Sequence, residues 1–124
     1  MNLDRIPTEA EEQAAFIEWA ELYRQKYPEL AMLYHVPNGG SRHKLEAVNL
    51  KRQGVKKGVP DLCLPVARRG YHSLYIEMKR SKGGRLTQEQ KGWIQNLRNY
   101  GNLAIVCEGA ELAKKAILMY LRGD

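Results

Sequence analysis

The sequence predicts an α/β domain, a mixed four-stranded sheet flanked by helices. Three observations predict it. Segments with a helical apolar repeat alternate with short apolar runs, in the order helix, strand, helix, strand, strand, helix, strand, helix. Two of the strand-like runs, residues 61–66 and 71–79, are separated by a short loop, which calls for an antiparallel hairpin. The second is followed by a helix and another run at 103–107, which calls for a right-handed parallel crossover. A chain of 124 residues suits one domain with one core, spanning 1–124.

The first helix begins near Thr8, which caps it, with Glu11 at the capping-box position. Phe16, Ile17, Ala20 and Tyr23 form its apolar face, and it ends before Pro28. Residues 30–36, "LAMLYHV", read as a short strand, and "PNGGS" as a tight loop. Residues 42–53 suit a helix with a basic face, closed by Gly54. "DLCLPV" (61–66) and "YHSLYIEMK" (71–79) are the hairpin strands, and "RSKGG" is a flexible basic loop. Thr87 caps a helix over about 88–99 that Gly101 terminates. "LAIVC" (103–107) is a buried strand, and 110–121 form the last helix. Trp19 and Trp93 fall on helices and read as core.

Composition narrows the function. No apolar run approaches the ~18 residues that span a bilayer, and the acidic N-terminus lacks an apolar signal-peptide region. Cys63 and Cys107 lie in strand-like runs and read as buried free thiols of a reducing cytoplasm. Two cysteines and three scattered histidines do not make a zinc site. The formal charge of +6 is uneven: −4 over residues 1–30, +9 over 31–91 and +1 over the rest. A basic centre fits a polyanion partner, nucleic acid first, and equally a merely soluble basic surface.

Within that basic centre, two acids stand out. In "LYIEMK" the strand alternation places Tyr75, Glu77 and Lys79 on one face and Leu74, Ile76 and Met78 on the other. Glu77 and Lys79 are then roughly 6.5–7 Å apart at Cα. Asp61 opens the neighbouring strand and can lie beside them. Dehydrated acids on a sheet face are costly unless paired. A divalent cation between Asp61 and Glu77 removes that cost, and carboxylate, carbonyl and water ligands suit Mg²⁺ or Mn²⁺. Such an ion binds a phosphate oxygen and acidifies a bound water, while Lys79 adds positive charge or orients that water. The plainer reading also stands: Asp at a strand entry is ordinary turn chemistry, and Glu–Lys pairs are common on exposed strands.

Pro60-Asp61 followed by Glu77-Met78-Lys79 resembles the PD-(D/E)XK nuclease signature. "PNGGSR", "LKRQGVKKGVPDL", "GYHSLYIEMKRSKGGRLTQEQ" and the final strand and helix resemble one branch, the VRR-NUC family of virus-type replication-repair nucleases. The similarity runs from about Thr8 to Leu121. It implies a PD-(D/E)XK, restriction-endonuclease-like core and a divalent-metal-dependent endonuclease that hydrolyses DNA phosphodiesters. Stand-alone members of this size are typical of phages, which implies the cytoplasm of a bacterial host. They are similar in fold to Holliday-junction resolvases, and homodimers with one active site per subunit are expected. The implied substrate is branched DNA, a four-way junction or flap.

The resemblance implies a role for each matching residue. Asp61 and Glu77 are metal ligands, with the backbone carbonyl of Met78 as a further one, and Lys79 is the catalytic lysine. Glu9 and Gln13 match the family's Glu-x-x-x-Gln in the first helix, Glu9 reaching the metal directly or through a water. Glu12, on the same helical face, is the alternative, and acids are favoured at a helix N-terminus in any case. Gln90 matches the glutamine after the lysine strand, with Gln88 competing. Asn38, Gly39 and Gly40 match "PNGG", where the glycines allow close approach to a phosphate or serve a simple turn. Arg42, Lys44, Lys51, Arg52, Lys56, Lys57, Arg80, Lys82 and Arg85 are the candidate phosphate contacts, which position a substrate without reading its sequence. Tyr34, His35, Tyr71 and His72 read as packing or edge residues. The competing function is a nucleic-acid-binding subunit that is non-catalytic or needs a partner for activity.

Overall fold

The computed structural model describes residues 5–37 and 44–123, and of residues 44 and 45 only the backbone. Helix α1 spans Glu9–Leu22. Its capping box forms as expected: Thr8 Oγ1 accepts from Glu11 N at 3.1 Å, and the Glu11 carboxylate accepts from Thr8 N at 2.9 Å. Phe16 and Ala20 are its buried residues.

The segment after α1 departs from the expected strand. Pro28–Met32 form a 3-10 turn, and only Tyr34–His35, strand β1, are extended. Pro28 opens the turn, where its fixed φ is suited and its missing N–H is not needed. Leu30 is buried while Met32 and Tyr34 are half-exposed, so a period of two does not hold there. Glu29 pins the turn. Its carboxylate accepts from Arg68 Nη2 at 2.8 Å and from Arg122 Nη1 and Nη2 at 2.6 and 3.1 Å. The bonds from Arg122 above all, then a backbone hydrogen bond and the bond from Arg68, pull its pKa down from 4.5 to about 2 against a partial opposing effect of burial. A depressed carboxylate pKa adds stability that is complete above the unfolded value and is lost as pH falls through the folded one. Glu29→Gln is therefore expected to cost about 2 kcal/mol at pH 7 and to flatten the loss of thermal stability between pH 4.5 and 2. A variant melting like the parent at pH 7 removes this assignment.

The remaining elements are α2 (Lys44–Arg52), β2 (Leu62–Leu64), β3 (Leu74–Lys79), α3 (Gln88–Asn99), β4 (Leu103–Glu108) and α4 (Ala110–Arg122). They form one four-stranded sheet in the order β1-β2-β3-β4. The first two pairings are antiparallel and the last is parallel, so the sheet is mixed. Strand β2 stops before Pro65, which has no N–H for the ladder. Arg68 and Tyr71 exchange backbone hydrogen bonds around Arg69 and Gly70, both at positive φ. That is the type I′ turn of a tight hairpin, and β3 starts at Leu74 rather than at 71.

One sheet face carries Leu62, Leu64, Leu74, Ile76 and Met78, each at most 1% exposed. It packs against Phe16 and Ala20 of α1 and Ala113, Ile117 and Tyr120 of α4. Trp19 packs against this core and stacks between Phe16 and Tyr23, whereas Trp93 is half-buried beside the buried Ile94 of α3. Cys63 pairs with Tyr75 and Cys107 with Met78, so the two buried thiols lie on opposite faces. Burial pushes the Cys107 thiol up to about 11. No helix among the described residues is long and apolar enough to cross a membrane.

Candidate active site

The second sheet face presents Tyr75, Glu77 and Lys79. Leu62 pairs with Ile76, so Asp61 arrives one step further, level with Glu77. Its backbone carbonyl accepts from Val36 N at 2.8 Å and lies 2.8 Å from His35 Nδ1. Its carboxylate accepts from Met78 N at 2.8 Å. Main chain and side chain of Asp61 are thus both tied, to β1 on one side and β3 on the other.

Glu77 is buried at 2% exposure, and the Lys79 side chain at 7%. Their charges meet at 3.6 Å. Glu9, at the first turn of α1, brings a half-exposed carboxylate to 3.9 Å from Lys79 Nζ. One carboxylate oxygen each from Glu9, Asp61 and Glu77 falls within 4.8 Å of the others. Three acids at that separation repel one another. Burial above all, then the neighbouring Asp61, push the Glu77 carboxyl up to about 8; Lys79 opposes the shift and Glu9 adds a smaller upward push.

Gln90 holds this arrangement from α3. Its Oε1 accepts from Lys79 Nζ at 3.2 Å and from Thr87 N at 2.9 Å, and its Nε2 donates to Glu77 at 3.2 Å. The residue that completes the α3 capping box therefore also bridges the lysine and the buried acid. Gln88 is exposed. Glu12 is engaged elsewhere. It accepts from Ala110 N at 3.0 Å and caps α4, whose own N-cap is Gly109. The two acids of the first helix are thereby separated. Glu12→Ala is expected to lower stability by about 1 kcal/mol with little change in metal affinity. Glu9→Ala is expected to leave stability within about 0.5 kcal/mol and to weaken metal binding. Thermal melts and metal titrations of both variants check the pair, and reversed phenotypes exchange the assignments.

Two glycines permit close approach around the site. Gly58 sits at φ +94, and a Cβ there would meet the Glu89 main chain at 2.6 Å, so the loop leading to Asp61 lies flush against the start of α3. A Cβ on Gly84 would lie 3.0 Å from Lys79 Cβ. Gly84 of the "RSKGG" loop thus lies over the lysine stem. The paired glycines are the visible signal for such an approach. The ring of His35 on the Asp61 carbonyl has none, since 26 residues separate them.

The basic residues divide. Lys51, Arg52, Lys56, Lys57, Lys82 and Arg85 are exposed. Lys57 pairs loosely with Glu89 at 3.5 Å. Arg80 is half-buried and donates to the Ile6 carbonyl at 3.4 Å, which ties it to the segment before α1. Asn38, Gly39, Gly40 and Arg42, and the side chain of Lys44, lie outside the described residues.

The model of the VRR-NUC domain family matches residues 3–111. The chain belongs to the VRR-NUC family. A solved structure described as a VRR_NUC domain protein is 33% identical with a TM-score of 0.81, the match covering 95% of this chain and 91% of that one. No curated protein matches the chain. As a VRR-NUC domain the chain is a nuclease of the PD-(D/E)XK type, and its substrate is nucleic acid. VRR-NUC nucleases typically use divalent metals, and the carboxylate cluster of this VRR-NUC domain offers the hard oxygen donors such ions take.

Proposed function

We propose that this VRR-NUC domain is a divalent-metal-dependent, structure-selective DNA endonuclease, similar in action to Holliday-junction resolvases. The observation that carries this reading is the meeting of three carboxylates within 4.8 Å beside the buried Lys79. An acid cluster whose buried member, Glu77, has a carboxyl pushed up to about 8 fits a site that exchanges a proton for a cation. Asp61, Glu77 and the Met78 carbonyl would hold Mg²⁺ or Mn²⁺, with Glu9 acting directly or through a water. The chemistry a bound ion supplies is polarisation of a phosphate oxygen and acidification of a coordinated water. Lys79 stabilises the negative charge that develops on the phosphoryl oxygens or orients the attacking water. Gln90 fixes the Lys79 ammonium and the Glu77 carboxylate relative to each other. The exposed lysines and arginines grip phosphates, so affinity falls steeply with salt.

The active unit on this reading is a homodimer, one site per subunit, matching a two-fold branched DNA. Leu22, Leu112 and Met119 are exposed at 80%, 49% and 48% on α1 and α4 and offer apolar surface for a second copy. Two free buried thiols fit the reducing cytoplasm, that of a bacterial host for a phage protein. The experiment is a cleavage panel of four-way junctions, flaps, nicked and linear duplexes in Mg²⁺, Mn²⁺ and EDTA, beside light scattering at micromolar protein. Metal-dependent cutting of the branched substrates and a dimer mass are expected. No cutting of any DNA with either metal overturns the endonuclease reading, and a monomer mass the dimer.

A further inference from the structure

A cleft of about 580 Å³ lies between α2 and the start of α3. That is within the ~300–1,000 Å³ range of small-ligand clefts. It is lined by Ala47, Leu50 and Val55, by Lys51, Lys56 and Lys57, and at one end by Gln90. Gln90 is the residue bonded to Lys79 and Glu77, so one side chain links the cleft to the carboxylate cluster. Among the described residues nothing covers the apolar part. From residue 46 to residue 52 every α2 side chain is exposed except Leu50, which is half-buried, and Val55 is 44% exposed.

The two kinds of lining select an occupant. A phosphodiester takes up ammonium groups and has no use for an apolar wall. A base stacked inside a duplex cannot reach one. An unstacked nucleotide satisfies both, its flat base against the apolar side chains and its phosphates against the lysines. The loop carrying Lys56 and Lys57 lies flush against the start of α3 at Gly58, which fixes that wall of the cleft relative to Gln90.

We propose that this cleft receives one unstacked nucleotide of the strand being cut, adjacent to the scissile phosphate. The inference rests on the endonuclease reading above and sharpens it. Pulling a base from its stack is easiest at a mismatch, nick or branch point. Within a branched DNA, the cut position is then set by where a base is free to enter.

The test first maps the wild-type cut in Mg²⁺. 2-Aminopurine then replaces one base at a time around that cut. The DNAs are bound by the full-length Lys79→Met protein in Mg²⁺, which keeps the strand whole. Fluorescence is expected to rise severalfold at one position flanking the cut and to stay low elsewhere. Adding Ala47→Leu, which narrows the cleft from an exposed helix position, is expected to halve that rise or more. In the otherwise wild-type protein, Ala47→Leu should slow cutting at an unpaired position more than it weakens binding of the same DNA. Wild-type cutting with no brightened position overturns the cleft inference and leaves the nuclease standing. Brightening that Ala47→Leu does not change also overturns it. A wild-type protein that cuts nothing takes both readings down together.

Discussion

Lys79→Ala and Asp61→Asn are expected to reduce metal-dependent cleavage of a four-way junction by at least about 10²–10³-fold while leaving junction binding nearly intact. Lys79 Nζ sits within 4 Å of Glu77, Glu9 and Gln90, with the side chain 7% exposed, so its charge is directed at the carboxylate cluster. Lys79→Met retains most of the stem that packs under Gly84 and separates loss of the charge from loss of packing. Asp61→Asn keeps an oxygen able to accept from Met78 N, so the hairpin survives while one anionic metal donor is lost. Binding is spared because the exposed Lys51, Arg52, Lys56, Lys57, Lys82 and Arg85 that grip phosphates on this reading are unchanged in both variants. Gel-shift affinity and single-turnover cleavage on the same preparations separate the two effects. Full cleavage by Asp61→Asn or Lys79→Ala would mean that hydrolysis occurs at some other place on the molecule.

The second large effect is on stability without metal. Glu77 carries a carboxyl pushed from 4.5 up to about 8, chiefly by burial and next by Asp61. An acid with a raised pKa keeps its proton in the folded state after the unfolded chain has lost it. Its contribution is complete below the unfolded value and is lost as pH rises through the folded one. In EDTA the protein is therefore expected to lose about 3 kcal/mol of stability between pH 5 and 8. Glu77→Gln, which carries no charge to bury, should remove most of that slope and raise the melting temperature at pH 8. A divalent ion should do the reverse of EDTA, stabilising the parent more at pH 8 than at pH 5 and releasing a proton as it binds. Chemical denaturation across this range measures the slope, and calorimetry in buffers of different ionisation enthalpy measures the proton. A flat profile in EDTA would show that Glu77 does not carry this strain.

The elements are readable from the chain because their signals are local. Thr8 with Glu11 and Thr87 with Gln90 announce two helix starts within four residues each, and both capping boxes form. The alternation in "LYIEMK" divides the face of Glu77 and Lys79 from the face of the core, and the burial pattern agrees. Residues 30–32 look like strand in the sequence but belong to the turn at Pro28–Met32, because what holds that turn comes from afar, Arg68 and Arg122 converging on Glu29.

The amino-acid sequence by itself determined the order of elements, the β2–β3 hairpin, the parallel β3–β4 pairing and the family, and it singled out Asp61, Glu77 and Lys79 as candidates. Tertiary structure alone decided between near-equivalents: Glu9 beside the carboxylates while Glu12 caps α4, and Gln90 inward while Gln88 faces out. It also decided which bases are free and that a partly apolar cleft opens next to the site. The physical reason is range. Propensity, capping and alternation act over a few residues, whereas a carboxylate's role is set by what lies within about 4 Å of it, and for Glu12 that neighbour is 98 residues away.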